Sequence, residues 1–354
     1  MATRSMAAPD LASRLEAFLR RRLAGAEAVR LVQLERSTEG FSQETFVFTA
    51  DVTAGGITTR RAWVAKREPV AGLLEPYDLE PEFRVLHALS DDPLPSPPTP
   101  WFERDPDVLE RSFYVMERLP GDVPVPAPGA GGTGPFDDAD RRTLVPEVIG
   151  ALADLHRIDW RTRGLAFLGD PGAGTGAAAR ELARWENRLG ATGLPVDPPL
   201  AEALHWLRRH VPAADVVTLV HGDYRLGNFL VVREHGAAHL AGILDWEMVH
   251  LGDPLEDVAW CASPLWRAGT PLASCLCTPE EFAARWSEAS GLAVDADRLR
   301  FYDVLALVKM SVIMLTGLAA FRDGRTPDLR MAIFDNQLPF LYALLAMTRG
   351  WMAA

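Results

Sequence analysis

The sequence predicts an α+β protein in two lobes, strand-rich first and helix-rich after, and three observations carry that prediction. A chain of 354 residues exceeds what one small core organises. Glycine and proline cluster at residues 91–100 and 120–136, which read as loops and put a boundary near Gly121. Residues 1–120 then form an N-terminal lobe of mostly short strand-like runs, and residues 121–354 a C-terminal lobe with long helical patterns.

In the first lobe, residues 1–23 carry several arginines, but Asp10 and Glu16 among them fit an amphipathic helix better than a transit peptide. Residues 29–34 and 45–50 read as strands, with Gly40-Phe41-Ser42-Gln43-Glu44-Thr45-Phe46 linking them. Trp63-Val64-Ala65-Lys66 reads as another strand. Only Lys66 and Lys309 are lysines among 36 basic residues, so a lysine at this strand position stands out. In residues 80–89, Pro81 suits the first turn of a helix and Phe83, Leu86 and Leu89 make an apolar stripe, an arrangement that lets Glu82 face Lys66. Phe113-Tyr114-Val115-Met116 is a short strand-like run that ends at Glu117-Arg118-Leu119-Pro120-Gly121.

In the second lobe, residues 141–159 form a helical pattern whose Leu144, Val148, Leu152 and Leu155 share a face, with His156 expected as a satisfied, semi-buried histidine. Residues 216–220, 229–232 and 240–244 read as strands, the last two joined by a turn at Glu234-His235-Gly236. Between the first two lies His221-Gly222-Asp223-Tyr224-Arg225-Leu226-Gly227-Asn228, and Asp245 ends the third, so a tight hairpin returns it over that loop. His221 is expected to hold the loop by hydrogen bonds. Asp253-Pro254-Leu255-Glu256 has the spacing of a helix start, with Asp as cap and Glu three residues on, and its helix through Asp257 and Trp260 is expected to brace the hairpin carrying Asp245. Further helical patterns cover residues 279–290 and 299–321.

Phosphoryl transfer needs a carboxylate near the attacking hydroxyl, oxygen ligands for the metal that bridges the phosphates, and a cation on the phosphates. Asp223, Asn228 and Asp245 can supply the first two, and Mg²⁺ favours such hard oxygens. Lys66 held by Glu82 can supply the third. Neither a Walker A loop nor a full G-x-G-x-x-G occurs, which excludes the familiar P-loop and dinucleotide patterns. A net charge of −12 disfavours nucleic-acid binding. Three cysteines, no signal-peptide pattern and no apolar run of membrane-spanning length point to a soluble, cytoplasmic protein without a membrane partner. Residues 310–321 are apolar but short and follow Lys309, which reads as a buried helix; Cys275 and Cys277 lack further zinc ligands and read as structural.

The ordered set from Val220 to Asn228, with Leu244-Asp245-Trp246-Glu247 and Leu251-Gly252-Asp253-Pro254, resembles the aminoglycoside phosphotransferase family, related to choline kinases and more distantly to protein kinases. It is most similar to the subgroup fused to some acyl-CoA dehydrogenases. The resemblance covers most of the chain from about Leu31 onward. It implies a bilobal protein kinase-like fold, an N-lobe antiparallel sheet with a helix and a mainly helical C-lobe, using ATP and Mg²⁺. It implies Asp223 as catalytic base and Asn228 and Asp245 as magnesium ligands. It places a phosphate-covering loop at residues 40–46, where backbone amides and the Ser42 hydroxyl meet the phosphates, and a hinge at residues 117–121, where backbone near Glu117 and Leu119 binds adenine. The acceptor would be a small-molecule hydroxyl, either a hydroxyacyl thioester or an antibiotic, among helices that offer Trp260, Trp266, Trp286 and Phe301. Two other readings stay open: a catalytically silent nucleotide-binding module, and a metal-dependent phosphoesterase using His221, Asp223, Asp245 and His250.

Overall fold

Strand alternation decides the first half of the chain. The structure is a computed structural model that describes residues 8–37, 42–125 and 134–347. It divides into two compact units, one of Met1–Val70, Pro76–Ser90 and Pro97–Leu119, the other of Ala71–Glu75, Asp91–Ser96 and Pro120–Ala354.

The first unit contains α1 (Ala8–Arg22), β1 (Ala28–Arg36), β2 (Glu44–Ala54), β3 (Ile57–Arg67), α2 (Glu80–Ala88), β4 (Trp101–Glu103), α3 (Pro106–Leu109) and β5 (Phe113–Glu117). Its five strands form one antiparallel sheet in the order β1-β2-β3-β5-β4. Along β2, Phe46, Phe48, Ala50 and Val52 are buried at every second position, so one sheet face is apolar. Trp63 and Ala65 of β3 continue that face, and Leu15, Phe18 and Leu19 of α1, one helical stripe, close it. Each fully buried leucine or phenylalanine among them contributes roughly 1.5–3 kcal/mol relative to leaving it in water. The strands run longer than their apolar cores because the outward positions pair too: Arg60 donates from Nε to Asp51 across the β2–β3 ladder at 2.8 Å.

The second unit contains α4 (Asp138–Arg157), α5 (Gly176–Ala191), α6 (Pro198–Arg209), β6 (Thr218–Val220), β7 (Phe229–Glu234), β8 (Ala237–Ile243), β9 (His250–Gly252), α7 (Leu255–Ala262), α8 (Pro279–Ser290), α9 (Ala296–Arg322) and α10 (Leu329–Met347). It is mainly helical, as expected. A capping box of Asp137 and Asp140 starts α4, and Leu144, Val148, Leu152 and Leu155 are all buried on it. The β7–β8 hairpin turns on His235 and Gly236, both at positive φ (52° and 85°), the signature of a two-residue type I′ turn.

Two expectations change here. The strand expected at residues 216–220 shrinks to β6, because the Val217 carbonyl is taken by the Trp160 indole N–H at 3.0 Å. β6 pairs with β9 and not with the hairpin. And α9 is, by length and composition alone, long enough to cross a membrane, against the expectation that no run reaches that length; 83% of its most apolar window is buried inside the fold.

Candidate active site

In the first unit, Lys66 near the end of β3 and Glu82 in the first turn of α2 form an ion pair at 3.5 Å. Both are nearly inaccessible, and Gln43 Nε2 donates to the other Glu82 oxygen at 2.7 Å, so the carboxylate is fixed at both oxygens. The sequence thus located a real pair. The loop expected over the phosphates lies partly outside the described residues, since Thr38–Phe41 fall there; Ser42 is described and half-buried. Of the two backbone positions expected at adenine, Glu117 pairs with Trp63 in the β3–β5 ladder and has its N–H committed to the Pro98 carbonyl at 2.8 Å. Its carboxylate pairs with Arg61 at 3.1 Å. Leu119 follows it, half-buried.

In the second unit, the loop between β6 and β7 folds around Asp223. Its Oδ1 accepts from Arg225 Nε at 2.8 Å and from the Trp260 indole N–H at 2.7 Å, and its Oδ2 accepts from Asn228 Nδ2 at 2.6 Å. Asn228 also donates to the Asp223 carbonyl at 2.8 Å, so both bonds use its amide nitrogen and its amide oxygen takes no part in them. Gly222 must be glycine: its φ is +82°, and a Cβ there would lie 2.6 Å from the Met248 carbonyl oxygen. Tyr224 ties the loop to α4 through its hydroxyl, which donates to the Val148 carbonyl at 2.6 Å.

His221 plays the structural part expected of it. Its Nδ1 accepts from the Asp223 N–H at 3.1 Å, so Nε2 carries the proton and donates to the Leu244 carbonyl at 3.1 Å. Burial lowers its pKa despite the neighbouring Asp257, Asp223 and Asp245 carboxylates, and the ring is neutral. The bond to Leu244 draws the end of the hairpin to the loop, and Leu244 N–H donates in turn to the Asn228 carbonyl at 2.8 Å. The next residue, Asp245, sits at φ 60°, a left-handed conformation uncommon outside glycine and tolerated best by Asp and Asn. Trp246, the residue after it, is buried, bonded to the Ile243 carbonyl at 2.9 Å and packed on the His221 ring. Strain of this kind gathers at functional positions. The amide oxygen of Asn228 and the carboxylate of Asp245 are hard oxygen donors of the type Mg²⁺ takes, so the residues fit that ion.

The helix after the hairpin carries more than the sequence reading gave it: the side chains of α7 bond directly to the loop around Asp223. Asp257, fully buried, accepts from the N–H groups of His221 and Gly222, each at 2.8 Å, and from His156 Nε2 at 3.2 Å. His156 is oriented by the Trp286 indole, which donates to its Nδ1 at 3.0 Å, so the expected satisfied histidine is the support of this aspartate. Glu256 is no capping residue. It is buried and accepts from Lys309 Nζ at 3.0 Å and from His250 Nε2 at 3.2 Å, while Lys309 also donates to the Gly222 carbonyl at 2.6 Å. The Asp253 side chain instead accepts from Leu255 N–H at 3.0 Å, and α7 starts after Pro254.

Glu181, His250 and Glu256 bring three ligand-type atoms within 4.8 Å of one another, and among the described residues no other such group of three occurs. Lys309 already supplies its cation. His250 supplies another, because Nδ1 faces the Met248 carbonyl at 2.9 Å and Nε2 faces the Glu256 carboxylate, so both nitrogens must donate. Burial alone would lower its pKa, but the Glu181 and Glu256 carboxylates raise it above the ordinary histidine value. Neither Asp223 nor Asp245 belongs to this group, which weighs against a two-metal phosphoesterase.

A raised histidine pKa stabilises the fold fully below the unfolded value near 6.5 and loses that contribution as pH climbs through the folded value. The destabilisation caused by His250→Gln should therefore be large at pH 6, about 3 kcal/mol for a broken buried pair, and shrink toward pH 9. Urea unfolding of wild type and variant at both pH values measures it, and a gap that is constant or grows with pH contradicts the charged state.

Of the aromatics offered as acceptor surface, Trp260, Trp286 and Phe301 are buried, and only Trp266 is part-exposed, with the Arg225 guanidinium 4.3 Å from its ring centroid. The three cysteines are free and buried.

An antiparallel sheet with a Lys–Glu pair, followed by a helical unit with an Asp-centred loop and a hairpin-end Asp, defines a protein kinase-like phosphotransferase fold. The chain belongs to the APH phosphotransferase enzyme family, whose model matches residues 33–302. A mouse relative, acyl-CoA dehydrogenase family member 11, is 30% identical over 260 residues, which are 71% of this chain and 30% of that protein. The chain spans about a third or less of the length of the curated relatives it matches, between 18% and 36%. Among solved structures it is similar to a candidate aminoglycoside phosphotransferase of Ralstonia eutropha JMP134, with TM-score 0.70 and 24% identity over 94% of this chain and 96% of that one. It is also similar to a thermostable variant of aminoglycoside phosphotransferase APH(4)-Ia in a ternary complex with AMP-PNP and hygromycin B, with TM-score 0.54 and 18% identity over 94% and 98%.

Proposed function

We propose that this chain transfers the γ-phosphoryl group of ATP to a hydroxyl of a small molecule, with Asp223 as the base. The observation that carries the reading is the Asp223 carboxylate, held by three donors, Arg225, Trp260 and Asn228, in a loop whose His221 has both Asp223 and Asp245 as neighbouring carboxylates. Oδ1 already accepts two of those bonds and Oδ2 one, so Oδ2 is the oxygen that orients the acceptor hydroxyl and takes its proton. Lys66, kept in place by Glu82, meets the phosphates. Asn228 and Asp245 would hold Mg²⁺, which when bound neutralises charge on the phosphates. A fold neighbour that binds AMP-PNP and hygromycin B supports a nucleotide and a hydroxyl-bearing acceptor. The names of the relatives favour a hydroxyacyl thioester as acceptor, with Trp266 and Arg225 beside it.

The test is ADP formation from Mg·ATP across hydroxyacyl-CoAs, aminoglycosides, macrolides and amino alcohols. Stimulation by one class identifies the acceptor; tight Mg·ATP binding with no turnover on any class favours a silent module. In calorimetry, Asp245→Ala should abolish magnesium-dependent nucleotide binding, a loss of about 10²-fold or more in affinity as for a metal site stripped of a charged ligand. A variant that binds Mg·ATP normally removes Asp245 from the metal site.

A further inference from the structure

The side of α7 that faces the catalytic loop contacts successive loop residues. Asp257 takes the N–H groups of His221 and Gly222. Glu256 holds Lys309, which takes the Gly222 carbonyl. Trp260, one turn on from Glu256, donates its indole N–H to Asp223 Oδ1. Cys261 completes the set: its carbonyl accepts from the Ser274 hydroxyl at 3.0 Å, whose oxygen accepts from the Leu226 N–H at 3.3 Å. Every residue of α7 is buried, so the helix has no freedom to follow the loop if the loop moves.

We propose that Trp260 is a positioning residue for the reacting carboxylate, aimed by α7 and by the Lys309 ammonium. The inference rests on the phosphotransfer reading above. A buried indole needs some acceptor, and a backbone carbonyl is enough: Trp160 uses Val217 and Trp246 uses Ile243. Trp260 instead spends its N–H on the one carboxylate expected to accept the substrate proton. Its ring carries a buried cation on its face, with Lys309 Nζ 4.5 Å from the centroid, which resists tilting. Turning the carboxylate plane about its Cβ–Cγ bond would break the bonds to Trp260, Arg225 and Asn228 together, so the indole helps fix the angle at which that plane meets the acceptor.

Trp260→Phe keeps an aromatic ring on the same Cβ but removes the N–H together with the pyrrole part of the indole, and Trp160→Phe makes the same truncation at a buried indole whose N–H goes to a backbone carbonyl. Trp260→Phe should lower kcat by about 10- to 100-fold, as small misplacements of a reacting group do, with KM for ATP within about twofold and a fall in the unfolding midpoint comparable to that of Trp160→Phe. Trp160→Phe, which also loses a buried indole bond, should leave kcat and KM unchanged. Unaltered kcat in Trp260→Phe overturns the proposal, as does a loss matched by Trp160→Phe. The contact has a readout that needs no turnover. The indole ¹H–¹⁵N resonance of Trp260, assigned by its disappearance in Trp260→Phe, should move on Asp223→Asn. If that resonance ignores Asp223→Asn, the positioning contact is absent even in an active kinase. A shifted resonance in a wild-type chain inert on every acceptor instead sinks the phosphotransfer reading while the contact stands.

Discussion

Asp223→Asn should lower phosphoryl transfer by about 10²-fold or more, the scale of losing a positioned base, and should leave Mg·ATP affinity close to wild type. The substitution keeps the shape of the side chain, but the site is built only for a carboxylate. Arg225 and Trp260 donate to one oxygen and Asn228 to the other, so an amide must turn its NH₂ toward at least one N–H donor. That clash costs about 1–3 kcal/mol of stability, and it separates two effects. Single-turnover kinetics at saturating nucleotide, with the unfolding midpoint measured on the same sample, reads them independently. A variant that keeps more than a tenth of wild-type transfer while fully folded removes Asp223 from proton transfer.

What the sequence made legible and what it hid follow from the range of the interactions. Lys66 and Glu82 could be paired because each lies on a regular element whose period fixes which way it faces, a strand of alternating burial and a helix with an apolar stripe. Asp223, Asn228 and Asp245 could be grouped because one loop and one hairpin contain them. α7 could not be read the same way. All eight of its residues are buried, so no polar face marks its orientation, and Asp253-Pro254-Leu255-Glu256 has the pattern of a cap while its glutamate serves Lys309 and His250. Lys309 was visible as a rare lysine, yet its partner Glu256 lies 53 residues earlier, a separation that no local spacing rule spans. The one available signal was chemical: charged residues inside an apolar helix are expensive unless paired, and α9 holds Lys309 at 1% exposure. Trp260 reads from the sequence only as one of four aromatics offered to an acceptor, since apolar periodicity says nothing of where an indole N–H points.

The largest stability effect should come from Asp257. It is fully buried and answers three donors at once, the N–H groups of His221 and Gly222 and the Nε2–H of His156, and burial, which opposes its charge, is outweighed by these bonds so that its pKa stays below the usual carboxylate range. Asp257→Ala strands two backbone donors and the histidine without water to replace the oxygen, a loss of about 3–5 kcal/mol for one partner of a buried set. It should also abolish transfer, because Gly222 at φ +82° is kept there by the bond to Asp257 on one side and by Lys309 on the other, and Asp223 follows from it in the chain. Urea unfolding gives the first number and single-turnover transfer on the surviving folded fraction gives the second. Asp257→Asn keeps one acceptor oxygen and turns an NH₂ toward a donor, so it should fall between wild type and Asp257→Ala in both. If Asp257→Ala unfolds within about 1 kcal/mol of wild type, the loop is held by Lys309, Tyr224 and Ser274 without the aspartate. If it is destabilised yet transfers normally, Asp257 supports the fold and not the geometry at Asp223, whose carboxylate is then held by Trp260, Arg225 and Asn228 without it.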